Sequence, residues 1–254
     1  MDLSASNKLD NILCKVRPDV VLHAAALANV DTCEQDPQRA HLLNVTTTAL
    51  VAKAAQSAGA RLIYLSSDQV FNGSSEWYGE RDTPVPLNVY GRTKRMGELK
   101  ILEHIPHALA IKANFFGWGP PHRPFLTDWV LAKLRASSIV RGFSDVFFAP
   151  ILVNDLLERI ESLLTLPASG ILHIEGADRL SKLDFMKVLA REYGLPEELV
   201  QPSPVKEAGL AALRPLNMSL TFERLSSYLR SGPPRYRRTS PGYAGWSIED
   251  GPQR

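Results

Sequence analysis

Short apolar runs and amphipathic stretches alternate along the first half of the chain. The run "DVVLHAAA" (19–26) follows "RPD" and is β-branched at its start, which predicts a buried strand of a parallel sheet. From Asp36 to Ala58, apolar residues recur at helical spacing, Pro37 suits a first turn and Gly59 stands as a C-terminal stop, so one helix is predicted there. "RLIYL" (61–65) predicts a second buried strand, and a loop rich in turn formers covers 72–88. A helix carrying Tyr90 runs to about Glu103, then a strand at "ALAIKANFF" (108–116) and a helix over 124–135. Strand followed by helix, several times over, is the signature of an α/β fold with a doubly wound parallel sheet.

After Pro150 this rhythm is interrupted. A helix is predicted at "VNDLLERIESLLTL" with Asn154 or Asp155 as its cap, a strand at "GILHIEG" (170–176), and a helix opened by Ser181. The closing stretch, "SGPPRYRRTSPGYAGWSIEDGPQR", is rich in Pro, Gly, Ser and Arg and is expected to be a poorly ordered tail whose arginines serve solubility.

Composition narrows the classes of partner. The chain has 254 residues, 44% hydrophobic and 22% charged, enough for a sizeable core. A net charge of +2 creates no field that argues for nucleic acid or an anionic membrane, so a small-molecule ligand is expected. Cys14 and Cys33 form no C-x-x-C pair and have no histidine at metal-ligand spacing, which speaks against a disulfide framework or zinc site and fits a reducing cytoplasm. "MDLSASNKLDN" has no apolar core of a secretion signal, and no run is long enough to span a membrane.

Chemistry is concentrated in two places. "YLSSDQVFNG" (64–73) puts Ser66, Ser67 and Asp68 just past the carboxyl end of a strand, where open α/β sheets bind ligands. "PLNVYGRTKRMGE" (86–98) puts Tyr90 and Lys94 four apart, on one face of a helix. These groups suit a carbonyl reduction: Ser67 holds the carbonyl oxygen, Tyr90 delivers the proton, and Lys94 lowers the phenol's pKa and grips a nicotinamide ribose. Elsewhere the bland reading prevails: His23 and His173 as structural histidines, and Asp31 and Glu34 as charges capping the following turn rather than metal ligands. Phe115, Phe116 and Trp118 are as consistent with a core cluster as with a substrate pocket.

The segments "RPDVVLHAAALANVDTCEQDPQRAHLLNV", "GARLIYLSSDQVFNG", "TPVPLNVYGRTKRMGE", "RGFSDVFFAPILVNDLLERI" and "RPLNMSLTFERL" resemble the extended short-chain dehydrogenase/reductases, and among them the dTDP-4-dehydrorhamnose reductase branch. The resemblance implies a Rossmann-like NAD(P)-binding core over 1–118, a small C-terminal α/β substrate lobe over 119–225 interleaved with core elements, and a tail over 226–254. It implies a cytoplasmic NADP- or NAD-dependent oxidoreductase acting on a keto group of a nucleotide-linked deoxysugar, and it is compatible with a homodimer. Ser67, Tyr90 and Lys94 match the family's catalytic residues, and Asp68 an acidic residue beside the substrate. Ala26, Leu27 and Ala28 match a loop against the cofactor, Asp2 and Leu3 a pair near its adenine, and Asn44 a residue that helps position the active-site lysine through its backbone or a water.

Three departures are written in the same letters. The first 72 residues hold a single glycine, Gly59, so there is no G-x-G-x-x-G turn. The chain is expected to begin after that glycine-rich unit, with about 40 residues, somewhat more than one βα unit, absent from the nucleotide half. Phe115 stands where the branch usually has Trp, and "DVFFAPI" (145–151) where it reads close to D-Q-x-G-x-P-T, which leaves the sugar open. A second resemblance, to the regulatory β subunit of methionine adenosyltransferase, implies a non-catalytic nucleotide-binding subunit instead, and an inactive fragment is the third reading.

Overall fold

The structure, a computed structural model, describes residues 6–120 and 122–229. Asp2, Leu3 and most of the expected tail, including "RYRRTS" (235–240), lie outside the described residues. In chain order, α1 (Ser6–Val16) leads into β1 (Val20–His23), followed by α2 (Val30–Gln35), α3 (Pro37–His41) and α4 (Thr47–Ser57). Then come β2 (Arg61–Leu65), α5 (Val89–His104), β3 (Leu109–Lys112), β4 (Phe115–Phe116) and α6 (Leu126–Arg135). The second half supplies β5 (Val140–Phe143), β6 (Phe147–Phe148), β7 (Ile151–Leu152), α7 (Val153–Leu164), β8 (Gly170–His173) and β9 (Leu180–Ser181). It ends with α8 (Lys182–Glu192), β10 (Val200–Ser203) and α9 (Glu223–Leu229).

β1, β2, β3 and β8 form an all-parallel sheet in that order. Residues alternate between its faces as strand geometry requires: Leu62, Tyr64 and Ala110 pack with Leu9, Val51 and Ile101 of α1, α4 and α5. Ile63, Leu109 and Ile111 pack instead with Leu156 and Ile160 of α7 and Leu225 of α9. A separate apolar cluster joins α6, α8, β5 and β10 around Phe185, whose ring meets Phe116 edge-on at 5.1 Å and Phe148 at 5.4 Å.

Several predicted elements are revised. β1 is shorter than the apolar run and is not fully buried, with Leu22 42% exposed, because among the described residues it pairs with β2 alone and forms the sheet's edge. The helix predicted over 36–58 begins as expected, with Asp36 accepting from the Arg39 N–H, and ends at Gly59, whose φ of +68° is the left-handed value that glycine takes most easily. Its middle, however, is a π-helical turn at Leu42–Thr46. The strand predicted over 108–116 divides at Ala113 and Asn114, because the Asn114 carbonyl accepts from the Ile151 N–H and β4 turns to pair with β7. Asn154 and Asp155 lie inside the first turn of α7 and do not cap it, since Leu152 occupies the cap position without a side-chain bond. Ser181 caps α8 as expected, accepting from the Asp184 N–H, and the tail begins later than 226, since α9 runs to Leu229. No helix among the described residues is long and apolar enough to cross a membrane.

Candidate active site

The site lies at the carboxyl end of the sheet. β2 ends at Leu65, and the chain turns through Ser66 and Ser67 into a 3₁₀ turn at Asp68–Val70. Ser67 Oγ accepts from the Gln69 N–H at 3.2 Å and donates to Asp68 Oδ1 at 3.0 Å, while Asn114 Nδ2 donates to Asp68 Oδ2 at 2.5 Å. Asp68 is thus held by the ends of two adjacent strands.

Against this turn packs the start of α5. Asn88 caps it by accepting from the Gly91 N–H at 2.8 Å, and its amide donates to Gln69 Oε1 and to the Leu213 carbonyl. A Cβ on Gly91 would sit 2.1 Å from the Gln69 carbonyl oxygen, so only glycine allows the helix to come this close. The contact brings Tyr90 beside Ser67. Since the Ser67 proton is directed at Asp68, the phenol is the donor in the neutral Tyr90–Ser67 pair.

One turn on, Lys94 is buried and its Nζ donates to the Leu65 carbonyl at 2.7 Å, lying 4.1 Å from the centroid of the Tyr64 ring. Glu98, also buried, accepts from Ser66 Oγ at 2.6 Å and pairs with Arg95 at 2.7 Å. Burial pushes the Tyr90 phenol up to about 12 and the Lys94 ammonium down to about 7, and the Glu98 charge opposes the second shift. Burial also raises the Asp68 carboxyl.

Four predicted residues, Ser67, Asp68, Tyr90 and Lys94, therefore come together. Leu27 and Asn44 form a second group: Asn44 Oδ1 accepts from the Leu27 N–H at 2.8 Å, and its amide donates to the Leu27 carbonyl and to Thr93 Oγ1 at 3.0 Å. Among the described residues Asn44 thus reaches the lysine's helix through its side chain, one residue before Lys94. Its backbone carbonyl accepts from the Thr48 hydroxyl. Ala26 and Ala28 flank Leu27 on an open loop, and Phe115, next to Asn114, is 37% exposed on β4.

Asp31 and Glu34 do more than charge their own turn. Asn29 caps α2, which leaves Asp31 free to bind Arg214 at 2.7 Å and the Ala212 N–H, while Glu34 accepts from the Val89 N–H at the start of α5. His23 is a satisfied strand-end histidine: the Thr48 hydroxyl is spent on Asn44, so His23 Nε2–H donates to Thr48 Oγ1 at 3.0 Å. His173 is buried against the edge of the Phe71 ring. No cluster among the described residues has the makings of a metal site.

Asn88, Asn114 and Glu98 are absent from the sequence-based set. Asn88 carried a readable signal, a capping residue directly before a helix that bears chemistry. Asn114 and Glu98 carried none, since their partners lie 46 and 32 residues away.

Comparison with known proteins agrees with this geometry. The family model for the RmlD substrate binding domain matches residues 1–243. The dTDP-4-dehydrorhamnose reductase of Escherichia coli (strain K12) is 32% identical over 235 residues, 88% of this chain and 78% of that protein. Methionine adenosyltransferase 2 subunit beta of Pongo abelii is 32% identical over 248 residues, 89% of this chain and 70% of that protein. Among solved structures, a Bacillus anthracis dTDP-4-dehydrorhamnose reductase in complex with NADP superposes with a TM-score of 0.87 at 25% identity, covering 92% of this chain and 83% of that one.

Proposed function

From the premise that the chain belongs to the RmlD substrate-binding-domain family, we propose that it is an NAD(P)H-dependent reductase of a keto group on a nucleotide-linked deoxysugar. The observation that carries this reading is the convergence of Ser67, Tyr90 and Lys94 at the carboxyl end of the sheet. The donor set fits the nicotinamide end of such a cofactor: Tyr90 and Lys94 offer donors for ribose hydroxyls, and Ala26, Leu27 and Ala28 offer a wall of small and apolar side chains. When bound, the nicotinamide supplies the hydride. The Tyr90 hydroxyl holds the substrate carbonyl oxygen and gives it a proton as charge builds there, and Ser67 donates to the same oxygen once its proton turns from Asp68. Charged Lys94 favours the phenolate that results, and Asp68, through Ser67, fixes the hydroxyl that faces the carbonyl.

The sheet half over 1–118 is the cofactor-binding part in this reading, and 119–225 the substrate lobe. The reading fits a cytoplasmic enzyme with a small-molecule substrate and no nucleic-acid partner, and it is compatible with a homodimer. Mixing the purified protein with NADPH and a dTDP-4-keto-6-deoxysugar is expected to oxidise the cofactor. Absence of turnover with every keto-sugar nucleotide, under conditions where NADPH binds, would overturn the reading.

The likeness to the methionine adenosyltransferase subunits favours a second reading, a nucleotide-binding subunit that works through a partner enzyme. In that case Tyr90→Phe leaves the protein's role intact and a pull-down recovers a stoichiometric enzyme.

A further inference from the structure

The row of strand ends does not stop at the residues assigned above. β2, β3 and β8 lie side by side, and past their carboxyl ends stand Asp68, Asn114 and Glu175. Glu175 is completely buried. Its Oε2 accepts from the Leu220 N–H at 3.0 Å, but its Oε1 has no hydrogen-bond partner. A buried oxygen left open in this way is uncommon in a purely structural cluster.

A cation approaches from the other lobe. β9 pairs antiparallel with β6, and the Lys182 N–H donates to the Val146 carbonyl, so the first turn of α8 is pinned beside Phe148. Lys182 Nζ lies 3.2 Å from the centroid of the Phe148 ring, and the two charges that act on it are Asp68 and Glu175. Phe148 falls where the reductase motif has glycine, so the aromatic face that supports this lysine belongs to the departure "DVFFAPI".

We propose that Lys182 on the lobe and Glu175 past the end of β8 form, with Asp68, a specificity subsite for the hydroxyl groups of the substrate's sugar ring. A ring hydroxyl both accepts and donates, so it can accept a hydrogen bond from the ammonium and donate one to a carboxyl oxygen. An anionic substituent would meet two carboxyl groups, and a methyl group would leave the open Glu175 oxygen unpaired. Burial raises the Glu175 carboxyl well above the ordinary range and lowers the Lys182 ammonium to about 8, with the Asp68 and Glu175 charges opposing the second shift.

The inference rests on the reading of this site as one for a keto-sugar nucleotide, and the two are tested apart. Calorimetric titration of the full chain compares dTDP, UDP and GDP with their glucose esters, none of which needs a reaction to bind. Wild type is expected to bind the sugar ester of its preferred nucleotide about tenfold more tightly than the nucleotide alone. Lys182→Met and Glu175→Gln are each expected to bring that ratio close to one while the nucleotide's own Kd holds. A ratio that survives in both variants, equal weakening of nucleotide and ester, or no binding of any probe by wild type overturns the subsite. If Glu175→Gln melts early, Lys182→Met is read alone, with Lys182→Arg expected to restore part of the ratio. A wild-type ratio that collapses in the variants, with no NADPH oxidation by wild type, would sink the reductase reading and leave the subsite standing.

Discussion

Tyr90 and Lys94 share a face of α5, and burial acts on them in opposite directions, driving the phenol up to about 12 and the ammonium down to about 7. The proposed chemistry needs the lysine charged, because only the ammonium favours a phenolate beside it. The sign follows directly: Lys94 is protonated below about 7 and loses its charge as pH rises through that value. Since kcat/KM reports ionisations of the free enzyme, it is expected to fall above a pH near 7, and a pH–rate profile checks this. A profile flat through that region would contradict the role given to Lys94. Removal of the proton donor by Tyr90→Phe is expected to lower kcat by about 10²–10⁴-fold while weakening NADPH binding by only about tenfold, the loss of one ribose hydrogen bond, measured by steady-state kinetics and cofactor fluorescence.

At the scale of elements, the site depends on how closely α5 approaches the turn after β2, and Gly91 controls that distance. Gly91→Ala places a methyl group 2.1 Å from the Gln69 carbonyl, so the helix start must shift and carry Tyr90 away from Ser67. A stability loss of about 1–3 kcal/mol is expected, with a larger proportional loss of kcat. Gly59→Ala is the comparison: its Cβ meets nothing within 4 Å, but its φ of +68° costs a comparable ~1–2 kcal/mol and should leave kcat unchanged. Urea unfolding and initial rates on both variants decide the matter, and equal kcat losses would refute the proposed role of the contact. The same elements show what could be read in advance. The extent of α5 and the shared face of Tyr90 and Lys94 were legible because helical period and Tyr-Lys spacing are both local. The π turn at Leu42–Thr46 was not, because Asn44 in that turn bonds to Leu27 and Thr93, 17 and 49 residues away, while the local pattern reads as ordinary helix. Glu175 and Lys182 were illegible for a related reason, since only strand order and lobe placement put them near Asp68.

Across the whole molecule, histidine burial makes stability depend on pH. His23, at the end of β1 and bonded to Thr48, has its pKa lowered from 6.5 to about 4 by burial first and by the Lys94 charge second. Its folded-state pKa is depressed, so the unfolded chain takes up a proton that the fold refuses. The stabilisation is complete above about 6.5 and is lost as pH falls toward 4. The raised carboxyls of Asp68 and Glu175 act in the opposite sense, because their contribution is present at low pH and lost as pH rises through their folded values. A simple acid titration of wild type would therefore mix the two. The difference between wild type and His23→Gln isolates the histidine, because glutamine can still donate to Thr48 but does not titrate. That difference is expected to shift against wild type by about 3 kcal/mol between pH 7 and pH 4, as urea unfolding at each pH would measure. A gap that stays constant over this range would mean that His23 is charged in the fold. The neutral imidazole that burial imposes at the end of β1 would then be wrong, although an imidazolium would keep the Nε2–H bond to Thr48.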